Sequence, residues 1–267
     1  MLYKVRRRLY SQNFLRDPKL VEKLIRNSSI GKSDTVLEIG PGKGIITREL
    51  VKTSGKVIAV ELDRKLFLHL NKKFRNIKNL KLVQGDFLRF NLPQSSYKVF
   101  ANIPFNITSQ VIRKLSSDNN FSEAYLIVQK EAAKRFIGKP LDDKNSMVSV
   151  LLKPWFEIEV YRQFKNSDFI PNPHVDIFMI RIIKRKNPLV EIANKNLYRD
   201  YIICNYSKLK IADLDIKKVF RLFKRFFNRA SPDERRKVSM KAQEFLTHQK
   251  NFHRKNAFTL EKSNLWL

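Results

Sequence analysis

The stretch Thr35-Val36-Leu37-Glu38-Ile39-Gly40-Pro41-Gly42-Lys43-Gly44, leading into residues 45–53, decides the fold of this chain. Its first half is a short, mostly apolar run of branched side chains, the pattern of a strand buried inside a parallel sheet. Gly40, Gly42 and Gly44 then let the backbone turn sharply and approach a ligand closely. Residues 45–53 read as a helix. The same alternation continues outward. Strands are predicted at 57–60, 80–84, 97–101 and 124–128, with helices at 63–74, 108–115 and 130–137. That β-α-β-α order implies a parallel sheet covered by helices on both faces. Toward the N-terminus, Asp17-Pro18 reads as an N-cap followed by proline in the first turn, and Leu20, Val21, Leu24 and Ile25 give that helix one apolar face. Toward the C-terminus, 157–164 and 175–183 alternate apolar and polar residues. They are predicted to form an antiparallel hairpin at the sheet edge, joined through Asp168-Phe169-Ile170-Pro171-Asn172-Pro173.

Composition bounds the rest. The chain has 267 residues, 43% hydrophobic and 11% aromatic, enough for a sizeable core. Its net charge of +29 points to a polyanionic partner such as nucleic acid, although a lysine-rich, low-GC genome gives the same excess. Cys204 is the single cysteine, so neither a disulfide framework nor a cysteine-based zinc site can be built. That usage suits a reducing, cytoplasmic compartment. The basic start, MLYKVRRRLYSQNF, lacks the apolar run of a secretory signal, and no stretch reaches transmembrane length. No metal site and no obligate protein partner are expected.

The strand pattern stops near Lys184-Arg185-Lys186-Asn187-Pro188. Beyond it, 197–206, 217–227 and 233–247 look helical, and residues 184–267 carry 21 Lys and Arg against 8 Asp and Glu. Three regions are therefore expected: a basic arm at 1–16, the sheet domain at 17–184, and a basic helical RNA-binding domain at 185–267 whose tail from 250 has no clear period. In 217–227, Phe220, Phe223, Phe226 and Phe227 interleave with Arg221, Lys224 and Arg225. A core face backed by a solvated basic face explains this pattern; so does an RNA-binding face.

Four strand ends carry candidate chemistry. Glu61 ends the second strand about 20 residues after the glycine turn, where a carboxylate can hold ribose hydroxyls. Gly85-Asp86-Phe87 follows the third, where an aspartate can accept from an adenine amino group. Asn102-Ile103-Pro104-Phe105 follows the fourth. Asparagine offers donors and an acceptor, proline stiffens the turn, and phenylalanine offers a face for a base. The glycine spacing is G-x-G-x-G rather than the dinucleotide G-x-G-x-x-G, and Glu38 would be unhelpful beside a pyrophosphate. A cationic, phosphate-free cofactor such as S-adenosylmethionine fits better than NAD.

With Ser11-Gln12-Asn13-Phe14-Leu15, the Glu38–Gly44 loop, Val60-Glu61, Gly85-Asp86 and Asn102–Ile107, the chain resembles the rRNA adenine N6-dimethyltransferases. That family has a housekeeping branch acting on small-subunit rRNA. It also has the Erm branch, which acts on large-subunit rRNA and confers macrolide, lincosamide and streptogramin B resistance. Ile103 and Phe105, with Lys153-Pro154-Trp155-Phe156 and the segment 168–176, are more similar to Erm. The resemblance covers about residues 10–205 and thins beyond them. It implies a Rossmann-like S-adenosylmethionine-dependent methyltransferase sheet plus a small C-terminal all-helical domain. It implies cofactor contacts from Asn13, Leu15, Gly40, Glu61, Asp86 and Asn102, catalysis by Asn102, Pro104 and Phe105, and a base held by Phe105 with Phe169 as second wall. The expected partner is 23S rRNA before ribosome assembly, with small-subunit rRNA as the alternative and a non-catalytic RNA-binding or transcription factor as the reading of another class. No membrane partner is expected.

Overall fold

A computed structural model describes residues 13–255 of the chain. Lys4, Arg6, Arg7 and Arg8 of the expected arm, Ser11-Gln12, and residues 256–267 of the expected tail lie outside them.

Two compact units are present. Among the described residues the first comprises 13–132 together with 159–184; the second comprises 133–158 and 185–255. Residues 133–158, read from sequence as part of the sheet domain, thus pack with the C-terminal helices.

The sheet unit begins with β1 (Phe14–Leu15) and α1 (Pro18–Arg26), capped by Asp17, whose side chain accepts from Lys19 N. There follow β2 (Thr35–Ile39), α2 (Ile45–Thr53), β3 (Lys56–Glu61), α3 (Arg64–Lys73), β4 (Leu80–Gln84), β5 (Tyr97–Asn102), α4 (Thr108–Ser116) and β6 (Phe121–Gln129). After α5 (Lys130–Ile137) and α6 (Met147–Leu152) come β7 (Phe156–Gln163), β8 (Phe169–Ile170) and β9 (Ile177–Lys184). The seven-stranded order is β4-β3-β2-β5-β6-β9-β7. From β4 to β6 the pairs are parallel, and β9 runs antiparallel to β6, with Glu123 opposite Ile183. The predicted late strands are adjacent, but β9 rather than β7 enters beside β6. The reason is legible in burial: the first four residues of β9 are buried, whereas only the first residue of β7, at the edge, is.

The chain runs outward from β2 through β3 to β4, then returns to place β5 on the other side of β2. Ligands in open α/β sheets bind outside the carboxyl ends of strands at such a reversal. Val36, Leu37, Val57, Val99, Phe100 and Ile127 are fully buried in the sheet, so the strand ends sit on a packed, rigid base. Three elements escaped sequence reading. Helix α6 is short and mostly buried, so it shows no amphipathic period. The two-residue strands β1 and β8 pair with Phe14 opposite Ile170 and Leu15 opposite Phe169, a partner more than 150 residues away.

In the second unit, α7 (Lys195–Asn205), α8 (Ile216–Arg229) and α9 (Pro232–Lys255) follow the basic junction. Tyr198, Ile202, Ile211, Val219 and Phe223 form its core with Val150. Among the described residues no helix is long and apolar enough to cross a membrane.

Candidate active site

A continuous cleft opens at the carboxyl ends of β2, β3, β4 and β5. One lobe is lined by Asn13, Leu15, Gly40, Asn102, Pro104 and Phe105 among others. The other is lined by Gly40, Glu61, Asp63, Gly85, Asp86 and Phe87 among others, and shares Gly40 and Pro104 with the first. The sequence-predicted cofactor residues Asn13, Leu15, Gly40, Glu61, Asp86 and Asn102 therefore meet in one place.

Local chemistry explains how each is held. Gly40 has φ +66°, and a Cβ there would point into open space on the cleft wall. Gly42, at φ +59°, is closed in by Phe14, whose ring would lie 2.7 Å from an added Cβ. Glu61 is 1% exposed, and burial raises its pKa against the backbone N–H groups it accepts. Its Oε2 accepts from Gly42 N at 3.0 Å and its Oε1 from Asp63 N at 2.8 Å, while its carbonyl accepts from Gly85 N at 2.9 Å. One residue, through its side chain and its carbonyl, thus ties together the loops after β2, β3 and β4. Asp86 caps a short turn, with Oδ1 accepting from Leu88 N at 2.9 Å.

Asn102 Nδ2 donates to the Asn13 carbonyl at 2.6 Å. Because that partner can only accept, the amide orientation is set by chemistry, and Oδ1 is left as the acceptor. Asn13 is in turn held by the β1–β8 ribbon and by Arg16 N donating to Asp168 O at 2.9 Å. Pro104 closes the turn, its carbonyl accepting from Ile107 N at 3.1 Å, and Phe105 is half-buried on the cleft wall. Ile103 is 2% exposed and packs inward.

Phe169 is placed differently from expectation. Its side chain is fully buried, edge-on to Phe164 with ring centroids 5.3 Å apart, in the core beneath β1 and β8. As a residue of β8 it backs Leu15 through the ribbon and presents no face to a base; the alternating pleat exposes Ile170 instead.

Sequence reading missed Lys114 on α4. Its ammonium donates to the carbonyls of Phe87 at 2.9 Å, Leu88 at 3.0 Å and Phe90 at 2.5 Å, and lies 5.1 Å from the Phe87 ring centroid. All three donors are used to hold the turn that carries Asp86 and Phe87. Burial lowers its pKa, with the Asp86 charge opposing. No motif announces this lysine, because its carbonyl partners are backbone atoms. Glu38, read as part of the glycine motif, is 1% exposed beside the polar groups of Thr47. Burial pushes its carboxyl up to about 8, with Thr47 opposing and the Glu61 charge reinforcing.

The donor set tests the cofactor. Glu61, Asp63 and Asp86 line the cleft, while among the described residues its lining includes no lysine or arginine. A pyrophosphate would meet the repulsion of those three carboxylates. A cationic nucleoside such as S-adenosylmethionine fits: Glu61 for ribose, Asp86 for the adenine amino group, and open space over Gly40 for close approach.

Comparison with known proteins agrees. The model of a family described as ribosomal RNA adenine dimethylase matches residues 4–248. Ribosomal RNA small subunit methyltransferase A of Clostridium acetobutylicum is 31% identical over 226 residues, 78% of this chain and 82% of that protein. An rRNA adenine N-6-methyltransferase of Bacillus licheniformis is 35% identical over 178 residues, 66% of this chain and 61% of that protein. Among solved structures, the 23S rRNA methyltransferase ErmE superposes with a TM-score of 0.73 at 26% identity, covering 80% of this chain and 99% of that one.

Proposed function

Since this chain belongs to the ribosomal RNA adenine dimethylase family, an rRNA adenine N6-methyltransferase using S-adenosylmethionine, we propose that its substrate is an adenine of small-subunit rRNA. The observation that carries the chemistry is the acid-lined cleft ending at the Asn102 amide. The small-subunit choice is supported by the C. acetobutylicum relative, which covers most of both chains.

S-adenosylmethionine supplies an electrophilic methyl group on a positively charged sulfur. The chain's own residues do the rest. Glu61, Asp86 and the Gly40 wall hold and orient the nucleoside part. Asn102 Oδ1 and a backbone carbonyl beside Pro104 accept from the exocyclic N6–H groups of the target adenine. Those bonds localise the nitrogen lone pair, which is otherwise delocalised into the ring, and aim it at the methyl carbon. Phe105 stacks on the base, which must leave its own stack to reach the cleft. Held by Glu61, Asp86 and the Gly40 wall, the sulfonium would supply its methyl group to N6, with the C–S electron pair left on sulfur and the N6 proton leaving to water. No general base is required; positioning and electrostatics carry the rate. A second round on fresh cofactor gives the dimethyl product.

A second reading, the Erm-type methylation of 23S rRNA with macrolide resistance expected from the sequence, is favoured by Ile103 and Phe105 and by the ErmE likeness. The two separate in one experiment: labelled methyl transfer to protein-free 16S and 23S rRNA offered together. Label on 16S rRNA is expected; label confined to 23S rRNA, with macrolide resistance on expression, transfers the assignment to the second reading. No label on either removes both.

A further inference from the structure

The aromatic and basic residues interleaved along α8 are only partly used by the core. Val219 and Phe223 are buried, but Phe220 and Phe227 are half-buried and Arg221 and Lys224 are exposed. Together with Val190 and the 189–194 segment they line a cavity lying wholly within the second unit. Phe220, Phe223 and Phe227 recur at helical spacing along one stripe, so the rings are presented together, with Lys224 on the same stripe and Arg221 beside it. Phe227 is held in place from outside the cavity lining: Arg235 lies 4.6 Å from its ring centroid and donates to its carbonyl at 2.6 Å. Helix α8 carries Lys217, Lys218, Arg221, Lys224, Arg225 and Arg229 and no acid. Among the described residues Glu191 is the single acid lining the cavity.

We propose that this cavity is a second RNA-binding site, distinct from the methyl-transfer cleft, that takes one unstacked base of single-stranded rRNA between Phe220 and Phe227 with its flanking phosphates on Arg221 and Lys224. Rings that are fixed, partly open and flanked by cations are the arrangement that binds single strands through stacking and charge together. The inference rests on rRNA as substrate and does not depend on which subunit supplies it.

The test uses the full chain and an oligouridylate of eight residues, which has no adenine to methylate. Affinity is measured across a salt series. Arg221→Gln with Lys224→Gln should weaken binding and lower the slope of log affinity against log salt by about 1.4, the value for two single-strand phosphates. Phe227→Leu should weaken binding about fivefold or more with the slope unchanged, because stacking is lost and charge is not. Lys217→Gln with Lys218→Gln should leave the Phe227 dependence intact. Asn102→Ala, which disables the cleft, should bind oligouridylate as the unaltered chain does. Each variant is checked for an unchanged thermal transition; if Phe227→Leu shifts it, Phe227→Tyr, which keeps a stackable ring, must retain the affinity. Affinity insensitive to the Phe227 ring, or lost equally with either pair of cations, overturns the cavity and leaves only a general basic face. Loss of oligouridylate binding in Asn102→Ala also overturns it, by placing the strand in the cleft.

Discussion

The strand-end cleft and helix α8 treat the same chain's positive charge in opposite ways. The cleft, in a protein of net charge +29, is lined among the described residues by Glu61, Asp63 and Asp86 and by no cation. Helix α8 has six cations and no acid. The difference corresponds to two ligands of opposite sign: a cationic nucleoside held by carboxylates and backbone, and a polyanion held by side chains. It also corresponds to two degrees of order. Glu61 is buried and doubly hydrogen-bonded, whereas Arg221 and Lys224 are exposed. Preorganised groups give geometry; exposed cations give counterion release and on-rate.

That contrast can be broken in several places. The largest effect is expected from Asn102→Ala, which removes the acceptor aimed at N6 and should lower methyl transfer at least about 100-fold with rRNA affinity nearly unchanged. Single-turnover transfer and filter binding on one preparation check both halves, and an active variant would sink the assigned role. Next is salt. Affinity for rRNA should fall steeply, on the order of 100-fold or more between 50 and 200 mM salt, while affinity for cofactor should change little. Parallel falls would mean that the cleft too is governed by surface charge.

A smaller, more local effect is expected at Lys114. Lys114→Met leaves three backbone carbonyls without their donor and frees the turn that carries Asp86. Cofactor affinity by calorimetry should drop about tenfold while rRNA affinity holds, since unmade buried hydrogen bonds cost about 1–3 kcal/mol each. An equal loss of both affinities would assign the lysine to general stability.

The last effect is read on stability rather than on binding or transfer, and concerns Glu38. Its folded pKa, raised to about 8 from 4.5, means that the native state binds the extra proton. Its contribution to stability is therefore fully present below about pH 4.5 and is lost as pH rises through 8. The slope is at most about 1.4 kcal/mol per pH unit. Urea unfolding between pH 5 and 9, without cofactor, should show this decline, and Glu38→Gln should flatten it; an identical slope in the variant would mean that other groups carry it.

Much of this was readable before any coordinates. Thr35–Ile39, Leu80–Gln84 and Lys130–Ile137 have in the structure the bounds that periodicity predicts, because each pattern is local and each boundary carries its own stop signal. The motif residues at four strand ends were likewise legible as a set, since parallel strands must bring their carboxyl ends to one edge. Helix α6 was not, because a short helix buried on most sides has no period to read. Nor was the misplacement of Phe169: its facing depends on a two-residue strand whose partner, β1, is remote in sequence.

By itself, then, the sequence determined the alternation of strands and helices, the acidic character of the cofactor residues, and the basic character of the C-terminal helices. These follow from side-chain type and spacing along the backbone. Only the tertiary structure decided that Asn13 orients the Asn102 amide, that Lys114 braces the Asp86 turn, that Phe169 faces the core, and that the rings of α8 border a cavity. Each of these is a contact between residues far apart in the chain, where hydrogen-bond distance and burial, rather than sequence spacing, set which group meets which.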